Sequence, residues 1–332
     1  MNDLYIAVVI VTYKSAQFTI NSLASICAER ATAGLRIRVF VVDNASGDLD
    51  AIARAADVNG WSSWVTLVPA PWNGGFAYGN NLGIERAYQE GVPNYFFLLN
   101  PDTEVRAGAI RSLVRFLESH PDVGIAGSGI DNPDGSEWGI AFRFPTLLSE
   151  VVGGLNTGLI THLLRAWEVP QHMSNTQQPI DWVSGASMMI RPALFAAIGG
   201  MDENYFLYFE ETDLCFRAKR AGFSTWYVPE SRVMHIEGQS TKVNERVAGP
   251  KRLPAYWFES RRRYFAVNHG VSQAIAIDIV AVFAYSLGWL KRVILHKMHT
   301  QVPYFVRDLI RHSVLWQSNR NFPPVRSFRP RA

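Results

Sequence analysis

Residues 5–12, YIAVVIVT, form an unbroken run of apolar and β-branched side chains. A strand buried on both faces needs that pattern, so the run predicts a central parallel strand. RIRVFVVD at 36–43 repeats it and stops at Asp43. Residues 65–68 predict a short third strand. YFFLL at 95–99 predicts a fourth, stopped by Asn100-Pro101-Asp102. Between the strands, 15–30 and 107–119 read as helices, and NGGFAYGNN at 73–81 reads as a glycine-rich loop entering a helix that ends near Gln89. Strands alternating with helices over the first 120 residues imply an α/β fold with an open, mostly parallel sheet. Ligands of such sheets lie beyond the carboxyl ends of the strands. Three polar clusters fall there: Thr12-Tyr13, Asp43-Asn44 and Asn100-Pro101-Asp102.

Residues 121–180 carry Pro, Gly and Asn and read as irregular. Regularity returns with strand and turn in DWVSGASMMIRP (181–192), helices at 192–198 and 210–221, and a strand in FSTWYVP before Glu230. Residues 271–290 are the most apolar stretch, long enough to just span a bilayer. Asp278 near its middle costs about 2.5–3.5 kcal/mol on the insertion scale. A spanning, an interfacial and a buried helix all stay open; Lys291 and Arg292 favour contact with lipid head groups.

Composition narrows the class. Of 332 residues 48% are hydrophobic and 18% charged, which permits a large core and excludes wholesale disorder. Cys27 and Cys215 are the only cysteines, too few for a disulfide framework or a ligand cluster, so a reducing compartment is expected. No secretory signal pattern is read at the N-terminus. The net charge of +3 is uneven: residues 291–332 hold nine Lys or Arg against Asp308 alone. A basic tail suits an anionic surface, lipid or nucleic acid. It carries no nucleic-acid-binding motif and residues 1–290 are net acidic, which disfavours nucleic acid. Neither G-x-G-x-x-G nor G-x-x-x-x-G-K-[ST] occurs, which disfavours a dinucleotide dehydrogenase and a phosphate-loop nucleotidase.

Three groups carry candidate chemistry. Asp102 on a strand-terminal turn can hold Mg²⁺ or Mn²⁺, which take carboxylate and phosphate oxygens, or it is a plain turn residue. Glu210, Glu211 and Asp213 crowd a helix start, where the macrodipole favours acids whatever their role. Crowding also raises carboxyl pKa values, which suits a general base near neutrality. His235, in VMHIEGQST, reaches a loop with Gly238 and Ser240 and can be a ligand or a structural polar group.

Seven segments in order resemble the inverting glycosyltransferases of family 2, in the rhamnosyltransferase-like branch. They are VVIVTYKS (8–15), VVDNASGD (41–48), NGGFAYGNNLGI (73–84), LLNPDTEV (98–105), WVSGASMMIRP (182–192), IGGMDENYFLYFEETDLCFRAKRAG (198–222) and VMHIEGQST (233–241). The resemblance covers about residues 5–270 and implies a GT-A fold for 1–270; the composition of 271–332 adds the expectation of a helical, basic, membrane-associated extension. It implies that Thr12, Tyr13, Asp43, Asn44, Asn73, Gly75, Asn80, Asn81 and Asn100 hold the donor nucleotide. Asp102 and His235 would bind a divalent metal ion. Trp182, Gly185, Ala186 and Asp213 would line the donor sugar and acceptor, and Glu211 would be the base. Two positions depart from the family pattern. Asn100-Pro101-Asp102 stands where Asp-x-Asp is frequent, and Glu211 stands where Asp is usual, which keeps Glu210 as an alternative base. The implied donor is deoxythymidine diphosphate rhamnose, with uridine diphosphate hexoses or galactofuranose as alternatives. Because the tail suits a membrane surface, the expected acceptor is a glycan or lipid-linked sugar in surface polysaccharide synthesis, at the cytoplasmic face of the plasma membrane. A homodimer and a non-catalytic binding module are open.

Overall fold

A computed structural model describes residues 4–138, 141–171, 175–236, 251–297, 302–316 and 322–328. The loop after His235 with Gly238 and Ser240 lies outside these residues, as do Arg320, Arg329 and Arg331 of the basic tail.

The N-terminal half runs β1 (Tyr5–Thr12), α1 (Ala16–Ala33), β2 (Arg36–Asp43), α2 (Leu49–Val58), β3 (Val65–Pro69), α3 (Gly75–Glu90), β4 (Tyr95–Leu99), β5 (Thr103–Val105), α4 (Ala109–Ser119) and β6 (Val123–Asp131). Then come β7 (Glu137–Trp138), β8 (Ala141–Phe142), α5 (Leu147–Leu155), α6 (Gly158–Leu163), a 3₁₀ turn (Arg165–Trp167), β9 (Gln178–Ile180), β10 (Trp182–Val183) and β11 (Ser187–Ile190). The chain continues with α7 (Pro192–Ile198), α8 (Glu210–Arg220), β12 (Ser224–His235), α9 (Ala255–His269), α10 (Val271–Ile294) and α11 (Phe305–His312).

The main sheet has the order β3-β2-β1-β4-β11-β6-β12-β5. Its first four strands are parallel; β11 enters antiparallel between β4 and β6. All eight residues of β1 are buried, so its apolar run is the doubly covered strand that the pattern predicts. Register decides where the polar clusters go. Thr12 pairs with Asp43 and Asp43 with Pro69, while Ile10 pairs with Leu99 and Leu99 with Ser187. Thr12, Asp43, the Asn100–Asp102 turn and the Gly185–Ala186 turn therefore lie along one edge of the sheet.

The stretch 121–180 departs from the irregular reading, because β6 is a buried strand in the middle of the sheet. Its glycines read as turn residues, but they are there for close packing. A Cβ on Gly127 would stand 2.1 Å from Val183, and one on Gly124 would stand 2.7 Å from Phe223. The strand FSTWYVP is likewise longer than its pattern: β12 continues through Pro229-Glu230 to His235, with a register shift between Val228 and Arg232.

The helices after residue 254 pack on one another and on α5 and α8. The guanidinium of Arg261 on α9 donates to Asp278 of α10 at 2.6 Å and pairs with Glu150 of α5 at 3.2 Å. Burial opposes the charge of Arg261, yet the two carboxylates hold its pKa above the ordinary arginine value. Asp278 thus faces inward, and its cost within an apolar helix is offset by a buried partner. Residues 322–328 return to the body: Gly200 N–H donates to the Phe328 carbonyl at 3.0 Å, and Glu203 N–H donates to that of Arg326 at 2.8 Å.

Candidate active site at the carboxyl edge of the sheet

The β1 and β2 ends are stitched to each other. Buried Thr12 donates through Oγ1 to Asp48 at 2.6 Å, and Ser15 N–H donates to the same carboxylate at 2.9 Å. The Asp43 carboxylate accepts from Ser46 N–H and Oγ and from the N–H groups of Gly47 and Asp48. Both Asp43 oxygens therefore shape the 44–48 turn. Tyr13 stays half-buried at the strand exit, with the Lys14 ammonium 5.3 Å from its ring centre.

The glycine-rich loop closes the next side. Asn44 Nδ2 donates to the Gly75 carbonyl at 2.9 Å, and Gly75 N–H donates to Asn73 Oδ1 at 3.1 Å. Gly75 has φ +87°, and a Cβ there would stand 1.9 Å from the Phe206 carbonyl oxygen, so only glycine fits. Phe76 N–H donates to that same carbonyl at 3.0 Å. Asn81 grips Met201 through both its N–H and its carbonyl, and it also donates to Glu203 at 2.9 Å. Asn80 donates within its own helix to the Phe76 carbonyl. Asn80 and Asn81 are both almost fully buried. The loop that starts α3 is thus fastened to the loop that delivers the acids of α8.

That delivery is strained. Tyr208 and Phe209 have φ +69° and +66°, and such left-handed geometry in non-glycine residues costs roughly 1–2 kcal/mol each. It brings Glu210 and Glu211 into the first turn of α8. Glu210 is buried, and burial pushes its pKa well above the usual carboxylate range, with the charge of Glu211 adding to the push. Burial raises Glu211 too, opposed by its own N–H and by the N–H of Gly185. The Oε2 atoms of both are buried without a hydrogen-bond partner among the described residues. A Cβ on Gly185 would stand 2.9 Å from the Phe76 ring and 3.9 Å from Glu211 Oε1, so it is packing against Phe76 that favours glycine here. Asn100 N–H donates to the Ala186 carbonyl at 3.1 Å, which links the Asp102 turn to the Gly185 turn and so to Glu211.

Asp102 and His235 meet across the β5–β12 pair, with Oδ1 and Nε2 3.2 Å apart. Both are buried, and His235 Nδ1 has no hydrogen-bond partner among the described residues. No cluster of three or more His, Cys, Asp or Glu able to hold a metal occurs among the described residues. Asp102 and His235 still suit Mg²⁺ or Mn²⁺, which keep waters and take substrate phosphate oxygens.

Asp213 stands apart from this group. It is fully buried, bound by Arg217 at 2.7 Å and Asn268 at 2.8 Å, and the structure places it in the packing of α8 against α9. Trp182 donates through Nε1 to the Arg143 carbonyl and stacks on Phe142, with one side on a cavity of ≈ 470 Å³ that Glu211 also lines. The remaining walls include Glu150, Trp257, Arg261 and Tyr285, none of which the sequence reading singled out. The available signal was Asp278, since an acid inside an apolar helix calls for a buried cation, here Arg261.

Comparisons with known proteins bear on the family and the fold. The family described as Glycosyl transferase family 2 matches residues 7–162. The N-acetylglucosaminyl-diphospho-decaprenol L-rhamnosyltransferase of Mycobacterium tuberculosis is 31% identical over 247 residues, covering 70% of this chain and 76% of the relative. Rhamnosyltransferase WbbL of Escherichia coli K12 is 24% identical over 164 residues, 48% of this chain and 60% of its own. Among solved structures, the mannosyltransferase PcManGT of Pyrobaculum calidifontis, in complex with GDP-Man and Mn²⁺, superposes with a TM-score of 0.56 at 14% identity. The match covers 95% of this chain and 88% of that one. The fold is therefore the GT-A fold, with added C-terminal helices. The chain belongs to glycosyltransferase family 2, in its rhamnosyltransferase-like branch, and is a nucleotide-sugar-dependent transferase.

Proposed function

We propose that the protein moves L-rhamnose from deoxythymidine diphosphate rhamnose to a hydroxyl of a lipid-linked glycan, inverting the anomeric carbon. One observation carries this reading: Glu211, a half-buried glutamate with a buried Oε2 and a raised pKa, stands where the Gly185 turn joins the donor edge to a cavity. The names of the two relatives support the sugar, and that of the mycobacterial one supports a lipid diphosphate acceptor. Thr12, Tyr13, Asp43, Asn44, Asn73, Gly75, Asn80, Asn81 and Asn100 build the nucleotide side, several of them by fixing the loops rather than by touching the donor. Asp102 and His235 would hold a divalent ion, which supplies positive charge to the departing diphosphate. Glu211 takes the proton of the acceptor hydroxyl as its oxygen attacks the anomeric carbon. Glu210, deeper and harder to ionise, supports the pair rather than acting as the base.

The domain division is part of the same reading: 1–270 carries the chemistry and 271–332 holds it to the cytoplasmic face of the membrane. The face of α10 bearing Ala274, Ile277, Asp278, Ala281, Ala284 and Gly288 is buried in the protein. Ile279, Phe283, Leu287, Leu290 and Ile294 form an exposed apolar stripe on the helix. The helix is long and apolar enough to cross a membrane by length and composition. Its packed inner face favours lying in the interface instead. A thermal-shift panel of nucleotide sugars with Mg²⁺ or Mn²⁺ tests the donor. Stabilisation by deoxythymidine diphosphate rhamnose above all others is expected. Preference for a uridine diphosphate hexose would move the assignment to that donor.

A further inference from the structure

The ≈ 470 Å³ cavity lies within the usual range for small-molecule sites. Thr12, Asp43, Asn73, Gly75 and Asp102 do not line it, whereas Glu211 and Trp182 do. It is therefore a second compartment, meeting the donor edge at Glu211. Its far walls come from α5, α9 and α10.

The chemistry of those walls is selective. Tyr208, Trp257 and Tyr285 join Trp182 in presenting aromatic rings, on which the C–H faces of a sugar ring pack. Glu150, Glu168 and Glu211 supply carboxylates, and among the described residues Arg261 is the one cation in the lining. Arg261 is already paired with Asp278 and Glu150, so it has no net charge to offer an anion. A phosphate in the cavity would meet an excess of negative charge and lose its hydration for nothing. Two buried polar atoms of the lining make no aligned hydrogen bond among the described residues: Nη2 of Arg261, which lies 3.2 Å from Glu150 in their ion pair, and Oε2 of Glu211. One is a donor and the other an acceptor, the complement of a hydroxyl group.

We infer that this cavity binds the acceptor as a neutral saccharide, with Glu150 and Arg261 reading its hydroxyls, and keeps the phosphates of any carrier outside. This rests on Glu211 being the base that faces the acceptor. Donor recognition then belongs to the sheet edge, and acceptor recognition belongs to α5 and the C-terminal helices.

Saturation-transfer NMR on the full chain tests this. The probes are neutral methyl glycosides of N-acetylglucosamine, rhamnose, glucose, galactose and mannose, with deoxythymidine and uridine diphosphates present as a control for the donor edge. At least one glycoside should receive saturation, falling at least fivefold in both Trp257→Phe and Glu150→Gln, with the nucleotide signal unchanged in both variants. Added inorganic diphosphate should leave the glycoside signal intact. Silence from every glycoside, an undiminished signal in the variants, or displacement by diphosphate overturns the inference. Loss of nucleotide binding in the unaltered protein would instead strike the glycosyltransferase reading of the sheet edge, a separable result.

Discussion

Asp102 Oδ1 and His235 Nε2 stand 3.2 Å apart although 133 residues separate them in the chain. The antiparallel pairing of β5 with β12, which sets His235 opposite Thr103, brings them together. If the pair holds the ion, Asp102→Ala should remove the Mn²⁺-dependent part of nucleoside diphosphate binding. His235→Ala should weaken it by roughly 10- to 100-fold, the scale seen when metal sites lose a supporting group. Calorimetric titration with and without Mn²⁺ reads both. Equal Mn²⁺ enhancement in Asp102→Ala and the unaltered protein would remove Asp102 from the metal site.

Buried Glu210 and half-buried Glu211 make opposite demands on pH. Glu211 works as a base only when ionised, and burial raises its pKa. The acid limb of kcat/KM should therefore fall at a pH above the 4.5 of an ordinary glutamate. For stability the sign reverses. A carboxyl whose folded pKa is raised contributes stability below its unfolded pKa, and that contribution is lost as pH rises through the folded value. Glu210→Gln should thus raise Tm at pH 8, by about 1–3 °C, and give no gain at pH 4. An equal gain at both pH values would show that ionisation of Glu210 is not the cost.

Gly75 fastens the donor loop to the acid loop. Gly75→Ala adds a Cβ 1.9 Å from the Phe206 carbonyl, on a backbone with φ +87°. A cost of about 2–3 kcal/mol is expected from denaturant unfolding. Gly222→Ala is the control, because Gly222 has φ +90° and nothing within 4 Å of the added carbon. Equal costs at the two positions would mean that backbone strain, and not contact with Phe206, sets the requirement.

These cases show which parts of the molecule were legible in the sequence. β1 and β4 were, because a strand covered on both faces must be apolar throughout. β6 was not, because its packing needs Gly124 and Gly127, and glycine ordinarily marks a turn. The strand-end positions of Thr12, Asp43 and Asp102 follow from the alternation of strands and helices. What their side chains do does not, since Asp43 spends both oxygens on its own turn. Asp213 carried the same local signal as Glu211, but α9, absent from the sequence reading, encloses it through Asn268. The cavity wall was hidden for a related reason: Trp257 and Tyr285 have the composition of a core, and only the folding of α9 and α10 onto α5 turns them toward a space.

The outward stripe of α10 makes the membrane part of the account testable. Phe283 is 66% exposed. Phe283→Glu should lower co-sedimentation with vesicles rich in anionic phosphatidylglycerol by at least about tenfold, since a buried phenyl contributes roughly 1.5–3 kcal/mol. Tm should stay within about 1 °C, as expected for a surface change. Unchanged sedimentation would place the contact elsewhere.

The central claim is that Glu211 takes the proton of an acceptor hydroxyl during transfer from a nucleotide sugar. The direct measurement compares the unaltered protein with Glu211→Gln, following sugar transfer from deoxythymidine diphosphate rhamnose to N-acetylglucosaminyl diphosphate carried on a short polyprenyl chain. Donor binding is measured in parallel. The account predicts that Glu211→Gln binds donor normally and loses about 10²–10⁴ in kcat, the usual contribution of a general base. Turnover near that of the unaltered protein, with donor binding intact, would contradict it.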